Sequence, residues 1–137
     1  MIIAKLNNYR QSPRKVRLVA NLVKGKRVAE ALDILDFAVK RASLPLKNLI
    51  ESAVANAKNN FNLDRETLVV KEFKVDVGAI LYRRMPRARG TAYPIRKRTS
   101  HVFVELEPRE IKKKKVKFSK SENGKAVKKE EKPANIK

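Results

Sequence analysis

The 137-residue sequence has no cysteine, no tryptophan and a single histidine, and it carries no acidic residue from Tyr82 to Arg98. Without cysteine, disulfides, thiolate nucleophiles and cysteine-ligated zinc are excluded together, and the redox compartment leaves no trace. The one histidine, His101, lies on a strand-like segment with no paired carboxylates held near it, so it reads as structural and catalysis finds no support. Gly25-Lys26 and Gly124-Lys125 lack the other glycine and the Ser/Thr of a phosphate-binding loop. No metal-ligand spacing is present, and no cofactor is expected. No apolar run approaches the roughly 20 residues that span a bilayer. The opening MIIAKLNNYRQSPRK also lacks the apolar core and small-residue cleavage site of a signal peptide. These absences predict a non-enzymatic cytoplasmic protein without membrane insertion.

What the chain has in excess is positive charge: +20 at pH 7, with a pI near 10.5. The natural partner of such a polycation is a polyanion, above all nucleic acid, with an anionic membrane surface second. The length suits one domain with a real core. Residues 1–107 hold 22 Lys and Arg against 10 Asp and Glu, a net +12, and the other +8 falls on residues 108–137. That lysine-rich tail has few large apolar residues to offset the entropy of ordering, so it is expected to be disordered. It is either a solvated, self-repelling tail or one that settles on RNA after the body docks.

Ile2 to Tyr9 suits a first strand or an extended arm. Ser12 is a natural N-cap and Pro13 fits a first helical turn, after which Val16, Val19, Ala20 and Val23 share one face until Gly25. A second short helix follows, with Val28, Ala31, Leu32 and Leu35 inward. A third carries Leu46, Leu49, Ile50, Ala53, Val54 and Ala57, with Pro45 in its first turn and the Asn59-Asn60 pair at its end. The period then changes to two: Val69, Phe73, Val75 and Val77 fall on one side, and Val70, Glu72, Lys74 and Asp76 on the other. A last strand sets Val102, Val104 and Leu106 opposite His101, Phe103 and Glu105, and Pro108 ends it.

These last two strands bracket YRRMPRARGTAYPIRKR, a connection of about twenty residues where hairpins usually have two to five. With the arms extended and paired to a tip near Arg87 to Gly90, about ten residues per arm project roughly 30 Å. Such a finger has no core, and its seven positive charges lack compensation, so it is expected to be ordered by a polyanion that surrounds it. Six of the seven are arginine: Arg83, Arg84, Arg87, Arg89, Arg96 and Arg98, with Lys97 alone. The planar guanidinium grips phosphate with two hydrogen bonds and stacks on bases, which points to a shaped RNA site. Tyr82 and Tyr93 add stacking faces. Arg10, Arg14, Lys15 and Arg17 gather at the start of the first helix, where free N–H groups already favour phosphate.

RQSPRKVRLVANLVKGKRV, ESAVANAKNNF and KVDVGAILYRRMPRARGTAYPIRKRTSH together resemble the bacterial large-subunit ribosomal protein twenty-two family, over residues 1 to about 107. The resemblance implies an α+β fold: three helices packed on a three-stranded antiparallel sheet, with a long protruding β-hairpin, here residues 78–98. It implies a structural constituent of the large ribosomal subunit whose partners are large-subunit rRNA, neighbouring ribosomal proteins and the nascent polypeptide. By position, Met85, Pro86, Arg87, Ala88, Arg89, Gly90 and Thr91 would line the peptide exit tunnel. Thr91 stands where family members often have a basic residue. The alternative reading is a basic regulatory nucleic-acid or membrane-surface binder acting through its tail.

Overall fold

The structure, a computed structural model, describes residues 1–109; the predicted tail from residue 110 onward lies outside them. In chain order the elements are β1 (Ile2–Tyr9), α1 (Pro13–Val23), α2 (Val28–Phe37), α3 (Ser43–Phe61), β2 (Leu68–Pro86) and β3 (Ala92–Pro108). A single 3-10 turn, Arg65–Thr67, leads into β2. The sheet is antiparallel with order β1-β3-β2, so the last strand is central. This is the α+β architecture expected from the sequence.

The helical stripes bury as their spacing requires. Val16, Val19, Ala20 and Val23 of α1, Val28, Ala31, Leu32 and Leu35 of α2, and Leu46, Leu49, Ile50, Ala53 and Ala57 of α3 all enter one core. They cover the sheet face formed by Ile2, Ala4, Leu68, Val70, Phe73, Val75, Val102, Val104 and Leu106, with α1 over β2 and α3 over β1. Each fully buried leucine or isoleucine contributes about 1.5–3 kcal/mol by leaving water. Ser12 takes the cap position of α1 but bonds through its carbonyl, which accepts from Lys15 N–H at 3.0 Å. Gly25, at φ +77°, ends that helix. α3 ends one step later than the Asn59-Asn60 pair suggests, because Asn62 takes the left-handed cap at φ 50°.

One expected strand face is corrected. Val70 is fully buried, the reverse of the side given it by simple alternation, while Val77 stays in phase with Phe73 and Val75 but is 60 % exposed. The ladder shifts between Val70 and Glu72, so Lys71 is an extra residue that changes the phase: Leu68 and Val70 point inward before it, Phe73 and Val75 after it. Val77 is the first of the inward series that no helix covers.

β2 is an edge strand, and its outer rim is occupied. Gly25 N–H donates to Val70 O at 2.8 Å, Val70 N–H donates to Lys26 O at 2.9 Å, and the Arg17 guanidinium donates to Val75 O through Nε and Nη2 at 3.1 and 2.8 Å. Such cover removes a template for edge-to-edge pairing.

Beyond the body β2 and β3 continue as a two-stranded ribbon, paired from Ile80↔Arg98 to Pro86↔Ala92. The long connection is therefore mostly strand, closed by residues 87–91. Met85 and Tyr93, cross-strand partners, each precede a proline, which holds both backbones extended up to the turn. At the tip Arg87 N–H donates to Thr91 O at 2.8 Å, and Thr91 Oγ1 donates to Ala88 O at 2.9 Å. Both Arg89 (φ 58°) and Gly90 (φ 71°) are left-handed, so two residues share the reversal at the tip.

Candidate nucleic-acid interface

Where the ribbon leaves the body, it faces the bend between β1 and α1 across a cleft of about 420 Å³. Among the described residues six cationic side chains line it, from Arg10, Arg41, Arg83, Arg96, Lys97 and Arg98, and no acidic one does. Gln11, Ser12 and Thr99 supply further polar groups, with Ser12 placing the first turn of α1 at the rim. Apart from Arg41, the lining comes from two acid-free stretches, residues 1–29 and 77–104, which the fold sets side by side. Like charges gathered without counter-charges repel, and an incoming phosphate relieves that repulsion.

Of the basic residues singled out in the sequence, Arg10, Arg83, Arg96, Lys97 and Arg98 meet in the cleft. Arg14 and Lys15 are exposed on the first turn of α1 and do not line it. Arg84, Arg87 and Arg89 are exposed further out along the ribbon and at its tip, with Met85, Pro86, Ala88, Gly90 and Thr91. Arg17 has a partner inside the protein, the Val75 carbonyl, and so acts as a strut between α1 and β2. Arg41 escaped the sequence reading. The signal was present: Lys40-Arg41 precedes α3 as Arg14-Lys15 opens α1. Tyr9 holds this corner, its hydroxyl donating to Gln11 Oε1 at 2.7 Å and lying 3.3 Å from Arg41 O. Burial pushes the Tyr9 phenol above its ordinary range, and the Arg41 charge partly opposes that.

The open face of the sheet is different. Lys71 pairs with Glu105 at 3.0 Å, Lys74 with Glu72 at 3.0 Å, and Lys5 Nζ sits 5.8 Å from the Phe103 ring centre. The hydrogen bond to Glu105, then its charge, raises Lys71 above the ordinary lysine value. Lysines on this face pair with carboxylates, whereas among the described residues no cation of the cleft has an acidic partner, Arg83 Nη1 donating only to the Tyr82 carbonyl at 2.7 Å. Among the described residues no group of three or more His, Asp or Glu could hold a metal, and no helix is long and apolar enough to cross a membrane.

An α+β body with an acid-free cationic cleft and a cationic ribbon defines a polyanion-binding protein of the kind that packs against folded RNA. Residues 4–107 match the model of the family Ribosomal protein L22p/L17e, and the chain belongs to that family. It is similar to the large ribosomal subunit protein uL22 of Herpetosiphon aurantiacus, 49 % identical over 108 residues, which are 79 % of this chain and 96 % of that protein. The uL22 of Fusobacterium nucleatum is 54 % identical over 95 residues, 69 % of this chain and 86 % of the relative. That of Pediococcus pentosaceus is 50 % identical over 101 residues, 74 % and 86 % of the two chains.

Proposed function

We propose that the protein is a structural constituent of the large ribosomal subunit in the cytoplasm, binding large-subunit rRNA through the cleft and the ribbon, and that it performs no turnover chemistry. The observation that carries this reading is the cleft of six cations and no acid at the base of the ribbon. Family membership and the uL22 relatives support the assembly it would join. In this reading Arg10, Arg41, Arg83, Arg96, Lys97 and Arg98 neutralise phosphates where RNA strands converge on the hairpin base. Arg14 and Lys15 add contacts on α1, and Arg84, Arg87 and Arg89 add them along the finger.

The ribbon is two strands thick, which lets it enter a channel too narrow for a domain. Its tip, Met85 to Thr91, is proposed as a piece of the exit-tunnel wall that meets the nascent polypeptide, while the body touches neighbouring ribosomal proteins. Phosphate neutralisation makes affinity fall by about 0.7–0.9 log unit per decade of salt for each contact. The full chain carrying Arg10→Gln, Arg41→Gln and Arg96→Gln should therefore bind a large-subunit rRNA fragment with a salt slope shallower by about 2–3. An unchanged slope would refute the role given to the cleft.

A further inference from the structure

The ribbon's register separates its two tyrosines. Tyr82 pairs with Arg96, and Tyr93 with Met85. Since side chains alternate along a strand, Tyr82 shares a face with Arg84, Arg96 and Arg98, and Tyr93 shares the opposite face with Leu81, Met85 and Ile95. Both rings stand in the open, 58 % and 60 % exposed. Neither belongs to the core or supports a neighbouring helix.

We infer that Tyr82 and Tyr93 are base-stacking platforms for unpaired nucleotides, one on each face of the ribbon. The inference rests on the RNA-binding reading above and adds which part of the RNA is held. An aromatic ring stacks on a base whose own face is free, and bases inside a duplex offer no such face. The flanking charges choose the occupant. Arg84 and Arg96 stand beside Tyr82, so a base stacked on that ring places its phosphates within reach of guanidinium groups, and no acid occurs from residue 77 to 104 to repel them. On the other face Met85 and Ile95 extend the platform of Tyr93 with apolar surface, and Arg83, paired with Ile95, shares that face with Lys97. Rings on opposite faces also distinguish a strand that wraps from a surface that is flat. A membrane can meet only one side of a ribbon.

The absence of tryptophan makes this testable by intrinsic emission, because the chain has three tyrosines and the third, Tyr9, is hydrogen-bonded within the body. The full chain is titrated with oligouridylate, and separately with the same strand annealed to oligoadenylate. The single strand should quench tyrosine emission more than the duplex does. Tyr82→Leu and Tyr93→Leu should each remove part of that quench and weaken single-strand binding by about five- to a hundredfold. The salt slope should stay unchanged, since neither ring carries charge, and Tyr82→Phe and Tyr93→Phe should retain affinity because the ring remains. Both positions are exposed, so the thermal midpoint serves as a folding control. Leucine variants that bind and quench like the parent, while the triple cleft variant still loses slope, would overturn the stacking inference and leave the RNA reading standing. Loss of neither property in either set would overturn both.

Discussion

Gly78 offers a sharp test of how the ribbon is joined to the body. The ladder runs Val77↔Ser100 and then Ile80↔Arg98, so Gly78 and Ala79 together oppose Thr99 as a bulge. A Cβ on Gly78 would collide with Thr99 Oγ1 and lie 3.1 Å from His101 Nε2 and 3.3 Å from the Thr99 carbonyl carbon. Thr99 cannot swing aside freely: its side chain is short and branched, and Oγ1 donates to Ala79 O at 2.7 Å. The conflict is one of space, unlike Gly25 and Gly90, where an added Cβ meets nothing and only the positive φ opposes it. Overpacking of this kind costs about 1–3 kcal/mol. The less flexible unfolded chain of an alanine variant returns about 0.4–1 kcal/mol, which at the midpoints of the two ranges leaves Gly78→Ala destabilised by about 1.3 kcal/mol. Thr99→Ala loses one hydrogen bond, about 0.5–1.5 kcal/mol, but also opens the space. In denaturant unfolding of the full chain, the double variant should therefore be more stable than the sum of the singles predicts, with a coupling of about 0.5–2 kcal/mol. Hydrogen exchange should localise the Gly78→Ala effect to amides of residues 79–99, with the α3 core amides little changed. Additive single effects, or a neutral Gly78→Ala, would refute the steric account of the joint.

Two further outcomes follow from contacts in the body. Arg17→Gln should lower unfolding stability by about 1–2 kcal/mol, because the Val75 carbonyl loses a charged donor, while the salt slope of RNA binding stays that of the parent; a shallower slope with unchanged stability would return Arg17 to the RNA-contacting set. Lys71 makes an alkaline prediction. Its value in the folded state is raised by Glu105, so its contribution is fully present below the ordinary lysine value of 10.5 and is lost as pH rises through the higher folded value. The stability difference between the parent and Lys71→Met should thus be level from neutral pH to about 9 and shrink above it, and a difference that grows with alkalinity would contradict the pairing.

The helices could be read from sequence because each keeps one face at a 3.6-residue period along its length, and all their predicted core positions pack inward, Val54 partly so. The strand pattern misled at Lys71, since one inserted residue inverts a period of two while leaving the composition untouched. Arg17 shows a different limit. The Val75 carbonyl that it donates to lies 58 positions away, so only the fold reveals that its Nε and Nη2 have a partner within the protein. Most of the cleft was legible: five of its six cations were marked, and Arg41, basic like its neighbour Lys40, is brought to the others from the turn before α3 by tertiary packing. A search for stretches without acids, in addition to stretches rich in bases, marks both long walls of the site.

The joint also explains why a charged ribbon can be aimed at all. β1 breaks register between Leu6 and Tyr9, with Asn8 at φ 55°, and β2 breaks register between Val77 and Ile80. Both irregularities face the same short run of the central strand, Thr99 to His101. His101 touches each side, its Nδ1 accepting from Asn8 N–H at 3.2 Å and its Nε2 lying over Gly78. His101 thus ties both sides of the joint together, in keeping with its structural reading. Bulges turn a strand and increase its twist, and two of them at one level redirect the outer sheet as a unit. Since the ribbon has no core to stiffen it, its direction is set by this packed root, and among the described residues the cations beyond the root have no acidic partner.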